Sequence, residues 1–90
     1  MALTPEKHEE WWSRWANLRV EEAKEEIEWR KTKVAKLRQE LASAGNDELR
    51  DLLESQIDRL ELNLKSIRLW HREMQCVAKH RWNLAMPDLA

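Results

Sequence analysis

The stretch Ser43-Ala44-Gly45-Asn46-Asp47 lies almost at the midpoint of the 90-residue chain and contains its single glycine. Glycine adopts, without a Cβ penalty, the left-handed conformation that often follows a helix, so Gly45 fits the position after a helix C-terminus. Asn46 can then accept a hydrogen bond from a free amide of the next helix, and Asp47 is a near-equal candidate for this cap. We therefore predict a tight turn over residues 44–47.

Helix-forming residues dominate the sequence on both sides of this turn. Thr4 and Pro5 suit the N-cap and the first position of a helix that we predict over about residues 5–44. A second helix is predicted over about residues 47–84. A connection this short makes the two helices antiparallel neighbours.

Pro87 prevents the second helix from continuing, so residues 85–90 are predicted to form a frayed tail. The fold class is therefore all-α, and residues 1–90 form a single domain. We expect a long antiparallel αα-hairpin with coiled-coil-like packing.

Each predicted helix carries a main apolar stripe at helical spacing. The stripe of the first helix contains Trp12, Ala16, Val20, Ala23, Ile27, Val34, Leu37 and Leu41. That of the second contains Leu49, Leu53, Ile57, Leu60, Leu64, Ile67, His71, Met74, Ala78 and Trp82. Folding the chain about Gly45 places Leu41 opposite Leu49, Val34 opposite Ile57, and Val20 opposite Trp70 on the stripe's shoulder.

Charges alternate in blocks along the chain. Residues 1–28 contain eight acids and four bases, and residues 29–45 contain one acid and five bases. Residues 46–62 contain six acids and two bases, and residues 63–82 contain one acid and five bases. Antiparallel packing sets each acidic block beside a basic one, although the helix dipoles alone account for acidic N-terminal halves.

A second, sparser apolar stripe lies opposite the main one on both helices. It contains Trp11, Leu18 and Trp29 on the first helix, and Leu62, Leu69 and Cys76 on the second. These residues cannot meet inside one hairpin, because each points away from the seam. We expect them to be buried against a second copy, giving a homodimeric four-helix bundle.

Five of the six tryptophans fall at the end of the hairpin where the chain termini meet: Trp11, Trp12, Trp15, Trp70 and Trp82. We expect Trp12, Trp70 and Trp82 to belong to the core. Trp11 and Trp15 are expected at an interface, because tryptophan is enriched among the residues that dominate binding energy.

Few residue groups favour chemistry. Cys76 and His80 share a helix face and are weak candidates for zinc ligands, since one chain supplies two of the four ligands that zinc requires. His71 and Met74 are a weaker pair for haem, and a buried, hydrogen-bonded His71 is the simpler expectation. Neither a nucleophile elbow nor a phosphate-binding loop is present in the sequence. We expect no catalytic site, metal or cofactor.

The composition also bears on cellular location and on nucleic-acid binding. The apolar runs are too short to span a membrane, and the N-terminal residues lack a signal-peptide pattern. A single cysteine allows no internal disulfide, so we expect a cytoplasmic protein. The formal net charge of −1 argues against general nucleic-acid binding.

Together these features predict a non-enzymatic protein-interaction module that self-associates and docks on, or inhibits, a protein partner through its Trp-rich end. A compact phage-encoded regulator is one origin that fits. The alternating charge blocks and the absence of Phe and Tyr also fit a designed helical assembly without a natural function. A third alternative is nucleic-acid binding by the basic face of residues 65–81, where Trp70 is interleaved with the bases.

Overall fold

The computed structural model describes residues 5–89, with side chains from residue 6 onward. Helix α1 spans Pro5–Ala42 and helix α2 spans Asp47–Trp82. The two helices pack against each other as a hairpin, and the described residues include no strand, so the all-α hairpin is confirmed. The predicted N-cap Thr4 lies outside the described residues.

The turn is longer than predicted, because α1 ends at Ala42 rather than near residue 44 and α2 begins at Asp47 as predicted. The amide of Ser43 donates to the Glu40 carbonyl and that of Ala44 to the Leu41 carbonyl, both at 3.2 Å. Each of these hydrogen bonds goes to the carbonyl three residues earlier, as in a 3₁₀ turn. They close the last turn of α1 without a left-handed residue. Gly45 accordingly has no positive φ, and the left-handed conformation predicted for it is wrong.

Asn46 is the N-cap of α2. Its Oδ1 accepts a hydrogen bond from the Leu49 amide at 2.8 Å, and its carbonyl accepts one from the Arg50 amide at 3.2 Å. Asp47 is the first residue of the helix and not its cap. Between the two candidates, the structure therefore selects Asn46, and Asp47 and Glu48 supply negative charge to the first turn.

The described chain divides into two compact units, and the turn unit comprises residues 25–67. Its buried cluster joins α1 to α2, and Leu41, Ala44 and Leu60 pack against it. The cluster contains Val34, Leu37, Leu53 and Ile57. Leu49, expected in the stripe, is exposed, because α1 ends early and leaves little helix to cover the first turn of α2.

The terminal unit, of which residues 5–24 and 68–89 are described, has a second cluster. Its buried members are Trp12, Ala16, Val20, Ala78 and Met86. Trp15, Met74, Leu84 and Leu89 pack against them. Three of these nine residues come from beyond the end of α2, so the core of this unit is built from two helices and a returning segment.

Residues 83–89, hereafter the tail, turn back onto the terminal unit. Asn83 has a φ of 50°, a left-handed conformation that Asn tolerates better than most residues. The amide of Leu84 then donates to the Ala78 carbonyl at 3.0 Å. These residues do not form the predicted frayed tail, because the chain reverses at Asn83 and buries Met86.

The core of the terminal unit also differs from the predicted register. His71 is only 5% exposed, whereas Trp70, expected opposite Val20, is half exposed. The tail explains why His71 can be buried. The His71 ring donates through Nε2 to the Pro87 carbonyl at 2.7 Å, so burial leaves no unpaired donor at that nitrogen. Trp82 is likewise half exposed rather than a core residue.

Charge pairing between the helices is sparse. Among the described residues, the one ion pair that joins α1 to α2 is Arg38 with Glu61, in the turn unit. The others, such as Arg19–Glu22 at 2.9 Å, lie within α1. Over the described part of the chain, neither helix has an apolar stretch long enough to cross a membrane.

Candidate functional site

An apolar groove lies on the surface of the terminal unit, with a volume of about 400 Å³. We call it the Trp groove. It is lined by His8, Trp11, Trp12, Trp15, Met74 and Trp82. A groove with so much aromatic surface and so few polar groups can desolvate apolar side chains of a binding partner.

The rings of the Trp groove form a connected series. His8 stacks on Trp11 with centroids 6.4 Å apart, and Trp11 stacks on Trp15 at 6.5 Å and 14° between ring planes. Trp12 lies 5.1 Å from Trp15 and meets Trp82 edge-on at 5.7 Å. These separations are those of favourable aromatic pairs, so each ring restricts its neighbour and the groove is largely preformed.

The series of stacked rings ends in a cation. The Arg19 guanidinium lies over the Trp15 ring at 5.9 Å while it also pairs with Glu22. Spacings of three and four residues place His8, Trp11, Trp15 and Arg19 along one side of α1. The predicted interface residues Trp11 and Trp15 are thus brought together in one groove, with Trp11 exposed and Trp15 half buried.

The second apolar stripe is at the surface in both units. We call it the outer face, and it contains Leu18, Trp29, Leu62 and Leu69, flanked by Trp11 and Cys76. Within the terminal unit it comprises Trp11, Leu18, Leu69 and Cys76. Trp29 and Leu62 belong to the turn unit.

Within the described residues of one chain, neither weak metal candidate is joined by further ligands. Cys76 and His80 are both exposed. Across residues 5–89, no three side chains of His, Cys, Asp or Glu lie close enough together to hold a metal ion. His71 is buried and hydrogen-bonded, as expected in preference to haem ligation: its Nε2 donates to the Pro87 carbonyl of the tail.

The sequence pattern does not predict the docking of the tail. Pro87 stops α2, yet its carbonyl and those of Ala85 and Met86 accept hydrogen bonds from side chains of both helices. The signal that could have revealed it is the recurrence of large apolar residues at positions 84, 86 and 89, which a solvated tail does not need.

The bases of the predicted nucleic-acid face are exposed along α2. They are Lys65, Arg68, Arg72, Lys79 and Arg81. None of them has a carboxylate within 4.0 Å among the described residues. Trp70 and Trp82 lie in the same stretch and are half exposed.

Comparisons of this chain with protein-family models, with curated proteins and with solved structures gave no match.

Proposed function

We propose that this protein is a non-enzymatic interaction module that forms a homodimeric four-helix bundle through its outer face. The observation that carries the proposal is the regular exposure of large apolar side chains opposite the hairpin seam. Leu62 and Leu69 are seven residues apart on α2, which is the spacing of a helix-packing seam. On α1, Leu18 and Trp29 stand on the side away from the core.

The exposure of the individual side chains supports the same proposal. Leu18, Leu62 and Leu69 are each more than half exposed, and so is Trp29. A stable homodimer buries roughly 800 Å² or more on each partner, and these side chains would supply apolar area to such an interface.

Light scattering behind size exclusion, over a wide range of chain concentration, tests the dimer. Leu69→Glu in the terminal unit and Leu62→Glu in the turn unit are each expected to give a monomer with unchanged helix content. Leu52→Glu is the matched control: Leu52 is 56% exposed, close to the 61% of Leu62 and the 57% of Leu69. It lies about 80° around α2 from Leu62, so the dimer should survive. A wild-type monomer with full helicity at high concentration would rule the dimer out.

The Trp groove is the surface that we propose for a second protein. Its occupant would be an amphipathic helix that presents large apolar side chains, the common partner of a preformed apolar groove. Trp11 and Trp15 are the anchors, since stacked tryptophans bury much area at little cost in side-chain entropy.

Replacing both anchors separates docking from assembly. If Trp11→Ala with Trp15→Ala leaves the dimer intact and abolishes capture of a specific cellular protein, the docking proposal is supported. If the double variant only dissociates the dimer, the two tryptophans are assembly residues and the docking proposal fails.

Nucleic-acid binding stays as a second candidate because the bases along residues 65–81 lack carboxylate partners within the described chain. Their positive charge is therefore available to phosphates, and Trp70 is exposed beside them for stacking. Fluorescence anisotropy with labelled single-stranded DNA and RNA tests this. Binding at low micromolar protein that weakens steeply with salt would support it, and no change in anisotropy at low salt would exclude it.

A further inference from the structure

Three side chains of the two helices donate to three successive carbonyl groups of the tail. Trp12 Nε1 lies 2.9 Å from the Ala85 oxygen. Gln75 Nε2 lies 3.2 Å from the Met86 oxygen, and His71 Nε2 lies 2.7 Å from the Pro87 oxygen. Since these bonds go to main-chain atoms, they hold a non-helical segment in place regardless of its side chains.

The side chains of the tail add selectivity to this main-chain recognition. Met86 is buried in the core of the terminal unit, and Leu84 and Leu89 pack against the same cluster. The Asp88 carboxylate accepts a hydrogen bond from Gln75 Nε2 at 2.6 Å. Main-chain hydrogen bonds combined with pockets for particular side chains are the usual means of recognising a peptide.

The tail does not fill all the space available to it. An open cleft of about 410 Å³ adjoins its first residues. The cleft is lined by Gln75, Lys79, Asn83, Leu84, Ala85 and Met86. The segment is therefore bound along one side only, and a ligand with bulkier side chains at the positions of Leu84 and Ala85 has room to bind.

We propose that this surface is a peptide-binding site that the chain keeps occupied with its own tail. Its external ligand would be a protein segment with the chemistry of residues 84–89: large apolar side chains at the first, third and sixth positions, with proline and an acid between the last two. This site shares Trp12 with the Trp groove, but the proposal requires neither the dimer nor a partner bound in that groove.

A tail attached at Asn83 is a tethered competitor for such a ligand. A short tether gives it an effective concentration of about millimolar, so it is displaced only by a ligand that binds well or is abundant. Ordering seven residues costs conformational entropy, which offsets part of the gain from docking. If the tail occupies its site nine-tenths of the time, the apparent affinity for a ligand supplied in solution falls about tenfold.

The full-length chain allows a direct test with a labelled peptide of residues 83–90, NLAMPDLA. Met86→Asp weakens docking of the tail, because it places a carboxylate at a buried apolar position. We expect the peptide to bind this variant about tenfold or more tightly than it binds the wild type. Leu89→Asp is a second release variant, whose position at the edge of the cluster disturbs the unit less. A scrambled peptide of the same composition should bind neither variant.

The indole resonance of Trp12 in a ¹⁵N-correlated spectrum reports where the peptide binds. It should move in the release variants, as the bond to the Ala85 carbonyl is lost, and return toward its wild-type position when the peptide is added. Adding Gln75→Ala to a release variant should weaken peptide binding, whereas Glu73→Ala, an exposed neighbour on α2, should not.

Two outcomes would overturn the proposal. One is a folded release variant, judged by its helix content, that does not bind the peptide at millimolar concentration. The other is binding that Gln75→Ala does not alter and that leaves the Trp12 resonance unchanged, because the peptide would then occupy another surface.

Discussion

The indole nitrogen of Trp12 lies 2.9 Å from the carbonyl oxygen of Ala85, 73 residues away in sequence. The bond joins the third turn of α1 directly to the tail. Trp12 is buried and packs with Met86 in the same cluster, so its ring contributes both apolar area and a hydrogen bond to one contact. This contact makes the tail part of the terminal unit's core.

Replacing Trp12 by Phe should destabilise the protein by about 1–3 kcal/mol, because the Ala85 carbonyl loses its donor and the smaller ring leaves space in the core. Trp82→Phe is the control. Trp82 is half exposed, so the same change there should cost less than about 1 kcal/mol. Urea unfolding followed by circular dichroism at one chain concentration measures both, and equal losses would show that the Trp12 bond contributes little.

The left-handed backbone at Asn83 leads to a second prediction. Asn83→Ala should cost about 1–2 kcal/mol, since a Cβ without a compensating polar group is unfavourable at this φ. Asn83→Gly should be neutral or slightly stabilising. If thermal unfolding gives Ala and Gly the same midpoint, the reversal at this residue does not constrain the tail.

Local patterns predicted the hairpin well, because its helices and its turn depend on neighbouring residues. Asn46 caps α2 with the bond expected from its side chain. The helix bounds were right within two residues at the turn. At Gly45 the position of the turn was predicted correctly, but the left-handed backbone was not. Glycine permits a left-handed backbone without requiring it. Here the hydrogen bonds donated by the amides of Ser43 and Ala44 close the helix before Gly45.

The tail and the burial of His71 could not be predicted in the same way, since each depends on the other. A histidine in an apolar stripe becomes a good core residue only when a partner for its ring is present, and that partner is the Pro87 carbonyl. Likewise, the tail docks because Trp12, Gln75 and His71 supply donors from two helices. Helical periodicity describes one helix at a time and contains no information about how the tail packs against both helices.

Removing the cap of α2 should destabilise the hairpin measurably. Asn46→Ala is expected to cost about 1 kcal/mol, because the Leu49 amide loses its acceptor. Asn46→Asp should restore most of this loss, since a carboxylate also accepts the bond and suits the positive end of the helix dipole. Chemical denaturation of the three proteins tests this, and an Asp variant as unstable as the Ala variant would contradict the capping role.

Gly45 offers a stabilising change. It has no positive φ, and a Cβ built on it meets no atom within 4 Å. Gly45→Ala should therefore stabilise the protein by about 0.4–1 kcal/mol, because alanine has fewer conformations to lose when the chain folds. The midpoint of urea unfolding should rise without a change in slope. A lower midpoint would show that the turn needs the freedom of glycine.

The contact of Arg38 with Glu61 tests what the charge blocks contribute. It joins the two helices within the turn unit, and both side chains are partly exposed. A double-mutant cycle with Arg38→Ala and Glu61→Ala should give a coupling free energy of about 0.2–1 kcal/mol at low salt. In 1 M NaCl the coupling should nearly vanish, because the screening length falls to about 3 Å.

The ion pair within α1 between Arg19 and Glu22 is the matched control. If both pairs give the same coupling, pairing between the helices adds no more stability than a pair within one helix. The helix dipoles would then be the better explanation of the alternating charge blocks.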